Sequence, residues 1–344
     1  MNKYISFIPK LITSIIIVLS LYIIAFMLLV DIGSVQFQSY KNTLLLTNKN
    51  IEKIIIESGS NSFHGINSSL IEKHFKKKTI NLAEFAGVPL KLKLYRLSNA
   101  IKKGDVIILP LEYRYYLGDT TIDMFYDGIF FGYSHYFKAL PFKEKIIFIL
   151  NTPIKSTIKA TIKIINKKYI KDYILAKFKN IQPNGIKEQG KLYVADNGDF
   201  DFKEPLAEKD DLKIPCQEYI FTKSIIDKNN IINPIFKDNI ELLKNIKNKT
   251  GAEFVFTYPV VAGADDCYNF DNKNGKEFKN FLSSIKKYIT NNGFKFIGNY
   301  QDSFFDKSHT MDTWFHVLPE ARDKRTKMLI HTLEKENIIS PIKK

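Results

Sequence analysis

Cysteine is almost missing, with only Cys216 and Cys267 among 344 residues. That excludes a disulfide-stapled scaffold, and their separation fits no zinc-binding spacing. The pair can form one disulfide in an oxidising compartment or remain two buried thiols, and the sequence leaves both open. No GxxxxGK[ST] or GxGxxG loop occurs, so there is no recognised cradle for nucleotide phosphates. The run Asp265-Asp266-Cys267 lacks companions at metal-ligand spacing and reads as an acidic turn. No cofactor or metal is expected. Internal repeats and low-complexity tails are also missing, and 45% hydrophobic residues, with 13% aromatic, are too many for a disordered chain.

Charge is absent from one stretch altogether. Residues 11–30 hold no Asp, Glu, Lys or Arg, and their number is close to the roughly 20 apolar residues that cross a bilayer. Lys3 and Lys10 precede the run and Asp31 follows it. The positive-inside rule then puts residues 1–10 in the cytoplasm and everything beyond residue 30 outside, which is periplasmic in a Gram-negative cell. A cleaved signal peptide is the competing reading, but its apolar region is normally shorter and no small-x-small site follows Val30. Elsewhere positive charge dominates, with 51 Lys and Arg against 36 Asp and Glu, net +15. Outside the cytoplasm that balance suits anionic lipid headgroups or acidic envelope polymers and not nucleic acid. A Lys- and Ile-rich bias that keeps the surface soluble explains it equally well.

Residues 31–50 read as a short connector and 51–340 as one α/β domain. Apolar runs at 53–56, 79–83, 105–111, 252–259 and 294–297 are strand candidates. Between them come helical patterns: Leu70, Ile71, His74 and Phe75 closed by Lys76-Lys77-Lys78, then Leu90, Leu94, Leu97 and Ile101 ended at Gly104. Later, residues 238–249 end at Gly251, and Phe278, Phe281, Ile285 and Ile289 end at Gly293. The alternation predicts a flavodoxin-like, three-layer, doubly wound parallel sheet. An insertion at about 113–237 divides that sheet without separating two domains. Within it aromatics crowd residues 113–142, and Ile154, Ile158, Ile162, Ile165 and Tyr169 recur at helical spacing, with Lys155, Lys159 and Lys163 each one position after an isoleucine. Such a helix either packs on the sheet with solvated lysines or lies on an anionic membrane surface. Asp196, Asp199, Asp201, Glu204, Asp210 and Asp211 mark residues 181–215 as an acidic loop or lid.

Chemistry concentrates where the first strand ends, at Glu57-Ser58-Gly59-Ser60-Asn61-Ser62. A strand, a small-residue turn and a helix start is where α/β folds present reactive groups, and Ser60 is the candidate nucleophile. A serine needs a base within hydrogen-bond reach and a group to orient that base. Six histidines are available: His64, His74, His135, His309, His316 and His331. His309 has the most telling context, because Asp306 stands three residues before it in the loop after the last strand. That loop and the Ser60 loop both belong to the C-terminal edge of the sheet. Singly, a Gly-Ser turn is usually a helix cap and an Asp-x-x-His a surface pair.

Together the two blocks resemble the SGNH (GDSL-like) hydrolases and acyltransferases. Ser58-Gly59-Ser60-Asn61 looks like their first block in its Gly-Gly-Ser-Asn form, and Asp306-Lys307-Ser308-His309 like their last. Residues 314–330, with Ala321, Arg322 and Thr326, are similar to the helix after that histidine in membrane-anchored envelope members, including proteins of alginate O-acetylation and D-alanyl transfer. The resemblance covers about 53–112 and 251–333. It implies Ser60 as nucleophile, His309 as base and Asp306 as the orienting carboxylate, with oxyanion donors at Ser60 and Gly87. The family's asparagine after the third strand is replaced here by Glu112, followed by Tyr113, so Asn61 or Tyr113 would have to assist. The implied activity is O-acyl transfer (O-acetylation) to an envelope polysaccharide, or the corresponding esterase reaction, with a multi-spanning membrane acyltransferase as partner. The alternative is a noncatalytic envelope protein of the same fold that binds polymer or that membrane partner, which Glu112 favours.

Overall fold

The computed structural model describes residues 2–33, 37–117, 122–130, 132–165, 170–171, 173–174, 194–202, 232–262 and 273–340. Cys216, Cys267, Asp265, Asp266, Tyr169, Glu204, Asp210 and Asp211 lie outside them. In chain order the helices and strands are α1 (Asn2–Gly33), α2 (Phe37–Thr47), β1 (Lys53–Ile56), α3 (Ser60–Gly65), α4 (Ser68–Phe75), β2 (Lys78–Asn81), α5 (Leu90–Ser98) and β3 (Val106–Leu109). There follow α6 (Tyr113–Leu117), α7 (Ile122–Phe130), α8 (Ser134–Ala139), α9 (Phe142–Asn151) and α10 (Ile154–Ile164). The last group is α11 (Pro234–Thr250), β4 (Glu253–Thr257), β5 (Val261–Ala262), α12 (Lys273–Asn291), β6 (Lys295–Ile297), β7 (Phe304–Phe305) and α13 (Pro319–Lys335). They group into two compact units, Met1–Tyr40 with Ile122–Gly185, and Lys41–Thr121 with Ile186–Lys344.

The larger unit is built on a five-stranded parallel sheet of order β2-β1-β3-β4-β6, the order of a doubly wound sheet that reverses direction beside its first strand. Each expected strand is present. Because side chains alternate across a strand, Ile55 and Ile107 face a core with Leu90, Leu94, Leu97, Phe236, Leu243, Phe278 and Ile285 of α5, α11 and α12. Ile54, Ile56 and Ile108 face the opposite layer, with Ile71 and Phe75 of α4 and Leu329 and Leu333 of α13. The strands flanking the insertion, β3 and β4, are direct neighbours, and residues 122–185 of the insertion belong to the other unit. Gly251 and Gly293 end α11 and α12 at positive φ, 69° and 81°, where a side chain is strained.

Two expectations change. The connector at 31–50 contains the helix α2, whose Lys41 is buried and donates to the carbonyls of Asn81, Ala83 and Gly198. Three backbone acceptors satisfy the ammonium there, although burial still pushes its pKa down to about 7 against the pull of Glu84 and Asp199. The acidic segment, expected as a loop or lid, is where described a loop closed by the Val194–Phe200 bridge. The Asp199 carboxylate is buried and accepts from Ser68 N, Ser68 Oγ, Asn81 Nδ2 and Asn197 Nδ2 at 2.8–3.0 Å.

The smaller unit gathers α7–α10 around α1. From Phe7 to Gly33 the first helix is long and apolar enough to cross a membrane. Phe26 is buried among Phe130, Phe137 and Phe148, with ring centroids 4.9, 5.5 and 6.5 Å away. Asp31 accepts from Lys138 Nζ at 2.9 Å and Tyr173 OH at 2.6 Å. The helix α10 packs on α1 and α7 through Ser156, Ala160 and Ile164, while Ile154, Ile158, Ile162 and Ile165 are exposed. The isoleucine stripe, expected to be either covered or laid on lipid, is therefore left uncovered by the described residues of its own unit.

Candidate active site

The turn after β1 is held by buried polar groups beneath it. Glu57 continues the ladder, its N–H donating to Ile108 O at 3.0 Å, and its carboxylate takes Arg96 Nη2 at 2.6 Å. Arg96 also donates to Glu84 Oε1 at 2.7 Å and Leu82 O at 3.0 Å, so one guanidinium ties the first turn to the segment after β2. Lys93 Nζ adds a bond to Ser58 O at 2.8 Å. Ser58 and Asn61 are committed to structure, since Ser58 Oγ donates to Pro110 O at 2.6 Å and Asn61 Nδ2 to the same oxygen at 2.9 Å.

Ser60 opens α3 and is only partly buried. Its hydroxyl points to Glu112 Oε1 at 3.4 Å, and the same oxygen accepts Asn61 N–H at 2.9 Å. Burial raises the Glu112 pKa, opposed by the Asn61 bond and then by the positive pull of His316. The carboxylate that replaces the expected asparagine thus fills the space beside the serine. Gly59 makes room for it, because a Cβ there would stand 2.4 Å from Glu112 Oε1 and 2.7 Å from Ala86 Cβ. Gly59→Ala is expected to cost about 1–3 kcal/mol by overpacking and to displace Glu112, seen as a lower denaturation midpoint.

Glu112 supplies a second expectation. Its folded pKa lies above the unfolded one, so the stability it contributes is fully present below the unfolded pKa and is lost as pH rises through the folded pKa. Glu112→Gln keeps an acceptor for Asn61 N–H and removes that loss. The variant should be the more stable at pH 7, with its advantage vanishing below the ordinary glutamate range in thermal melts taken across pH.

Asp306 and His309 form a pair, carboxylate oxygen to Nδ1 at 2.9 Å, in a turn where Asp306 also accepts from Ser308 N and Oγ. The Ser308 hydroxyl bond, against slight burial and with help from His309, holds Asp306 below the usual carboxylate range. Among the described residues no hydrogen bond joins His309 to Ser60. Gly87 sits in the segment that passes the serine turn, next to Ala86, while Tyr113 is buried in the sheet core against Phe278 and Phe281, at 5.5 and 5.8 Å, and offers nothing to Ser60. Asn61 contributes its backbone N–H to Glu112, its side chain being bound to Pro110.

A different dyad stands against α3, the helix that Ser60 opens. His316 Nδ1 pairs with Asp312 Oδ1 at 2.7 Å, and the imidazole stacks on His64, one turn after Ser60 on α3, with centroids 4.1 Å apart and planes at 28°. Local folding explains the placement. Thr310 and Val317 form an antiparallel bridge, Met311 N–H donates to His316 O at 2.7 Å, and Leu318 N–H to His309 O at 2.9 Å. The resulting short hairpin presents Asp312 and His316 side by side before Pro319 starts α13. Burial, with His316 next, pushes the His64 pKa well below the ordinary imidazole range, so His64 is a neutral stacking partner. The sequence signal for this dyad was an Asp four residues before a His just ahead of a helix-starting proline, a spacing that an Asp-x-x-His search passes over.

The helix α13 locks the arrangement to the serine side of the sheet. Thr326 Oγ1 accepts Asn67 N–H at 2.9 Å, Asp323 Oδ1 accepts Asn67 Nδ2 at 2.9 Å, and Arg325 donates to Tyr258 O at 3.0 Å. Among the described residues no group of three His, Cys, Asp or Glu is placed to hold a metal ion. In comparisons with known proteins, no family model and no curated protein matches this chain.

Proposed function

We propose that the chain is a membrane-anchored serine acyl-transfer enzyme of SGNH type, with α1 as a single-pass anchor and the sheet unit outside the cytoplasm. The observation that carries the reading is the serine turn at the C-terminal end of β1, with the Asp312-paired His316 stacked on His64 of the helix that Ser60 opens and charge-coupled to Glu112. With Nδ1 held by Asp312, Nε2 is the basic nitrogen. Ser60 Oγ attacks the acyl carbonyl as His316 takes its proton. Collapse expels the donor's leaving group, which receives that proton, and leaves an acyl-serine. A glycan hydroxyl, or water in an esterase, then attacks the acyl carbon, losing its proton to His316, which returns it to the Ser60 oxygen as that leaves. Backbone N–H groups of Ser60 and Gly87 are the proposed oxyanion donors. Lys3 and Lys10 before the apolar run support the orientation, and the net charge of +15 suits an acidic envelope polymer as acceptor. An acyl group supplied from across the membrane calls for a multi-spanning acyltransferase partner.

Glu112 favours the competing, noncatalytic reading, because an ionised carboxylate beside Ser60 repels a developing oxyanion. Labelling of the full-length protein with a fluorophosphonate separates the two. Covalent modification at Ser60, lost in Ser60→Ala, supports the enzyme. A folded protein that binds acidic polysaccharide and takes no label under any condition overturns it.

A further inference from the structure

We infer that α10, together with the exposed side of α9, is inserted into the leaflet of an anionic bilayer beside α1. The inference rests on the proposal that α1 crosses the membrane. Three observations point to lipid.

The first is the inversion of the helix. In an aqueous domain the large apolar side chains of an amphipathic helix turn inward. In α10 the inward positions are Ser156, Ala160 and Ile164, which pack on α1 and α7, and the outward ones are Ile154, Ile158, Ile162 and Ile165, the first and third of them 71% exposed. The neighbouring α9 adds exposed Phe142, Ile147 and Leu150. Two small residues and one isoleucine turned inward, against four isoleucines turned outward, is the arrangement of a surface bathed in hydrocarbon.

Depth is the second. Tyr22 OH lies 3.3 Å from Thr157 Oγ1, which fixes the middle of α10 against the first helix. Tyr22 stands eight residues before Val30, the end of the uncharged run, and at 1.5 Å per residue that is about 12 Å inside it. Half the hydrocarbon thickness is about 15 Å. If α1 spans, the isoleucines of α10 are at acyl-chain depth.

Charge is the third. Lys155, Lys159 and Lys163 are exposed and each follows an outward isoleucine by one position, about 100° around the helix. Lysine stems extend toward the interface, and those at the shallower end of α10 meet the anionic phosphates. Lys159 is additionally paired with Asp127 of α7.

The test uses the full chain in nanodiscs containing phosphatidylglycerol, with Cys216→Ser and Cys267→Ser and one fluorescent cysteine at a time. The sites are Ile158→Cys on α10, Ile16→Cys in the span and Glu241→Cys on α11. Lipids brominated on the acyl chain should quench the probe at 158 to within about twofold of that at 16, and leave that at 241 unaffected. Adding Lys155→Glu and Lys163→Glu should weaken quenching at 158 by about twofold or more. Quenching at 16 with 158 as open to aqueous iodide as 241 overturns the insertion of α10 and leaves the anchor standing. No quenching at 16 removes the anchor and this inference together. A probe at 158 shielded from iodide yet untouched by brominated lipid means a protein covers the stripe, which also overturns it.

Discussion

Alanine at His316 should slow fluorophosphonate labelling of Ser60 by at least about a hundredfold, the usual size of a general-base contribution, while alanine at His309 should leave it within about tenfold. The asymmetry follows from what each imidazole faces. His316 stacks on His64 and is felt by Glu112, the residue that receives the Ser60 hydroxyl, and its Nδ1 is already held by Asp312. His309 meets Asp306, Ser308 and the Phe305 ring, and neither imidazole is hydrogen-bonded to Ser60 among the described residues. Asp312→Asn should fall between the two, since the neighbour keeps its shape but no longer favours the imidazolium. The reverse ranking, with His309→Ala the slower, would return the base to the pair with Asp306. Circular dichroism and melting of each variant separate lost chemistry from lost folding.

The second large effect is on stability. Arg96→Met should destabilise the sheet unit by about 3–5 kcal/mol, because it strands two buried carboxylates, Glu57 and Glu84, with a single lysine. Burial already lowers the Lys93 pKa, and the two glutamates supply the opposing pull. Adding Glu84→Gln leaves Lys93 facing Glu57 alone, a neutral set, and should recover part of the loss in urea denaturation. Lys295→Ala, which removes the surface pair with Glu253, should cost less than about 1 kcal/mol. Equal costs for Arg96→Met and Lys295→Ala would show that the cluster does not support the unit. Since Glu57 and the Lys93–Ser58 bond sit directly before Ser60, Arg96→Met should also lose labelling at temperatures where the protein is still folded.

The strands were legible because each is a short apolar run between Gly, Pro, Asn or charged residues, and burial on both faces leaves no polar alternation to confuse it. Helix ends were legible wherever a glycine sits at positive φ, as at Gly251 and Gly293. The amphipathic pattern at residues 154–165 was equally plain, yet periodicity says only that two faces differ. Which face is covered depends on what lies beside it, and in α10 it is the face of Ser156, Ala160 and Ile164. Similarly, an acidic composition suggested a lid at 181–215, whereas Asp199 is a buried acceptor, a role that exists only once Ser68, Asn81 and Asn197 surround it.

The serine turn shows the same division. The sequence by itself determined that a small-residue turn follows the first strand of an α/β sheet and that an apolar helix precedes the domain, since both are properties of contiguous residues. Only the tertiary structure decided that His316 stacks on the helix Ser60 opens and that Glu112 fills the space beside the serine. Those groups lie 52 and 256 positions along the chain from the serine, and their approach is set by strand order and by the hairpin at 310–317, which no local pattern encodes.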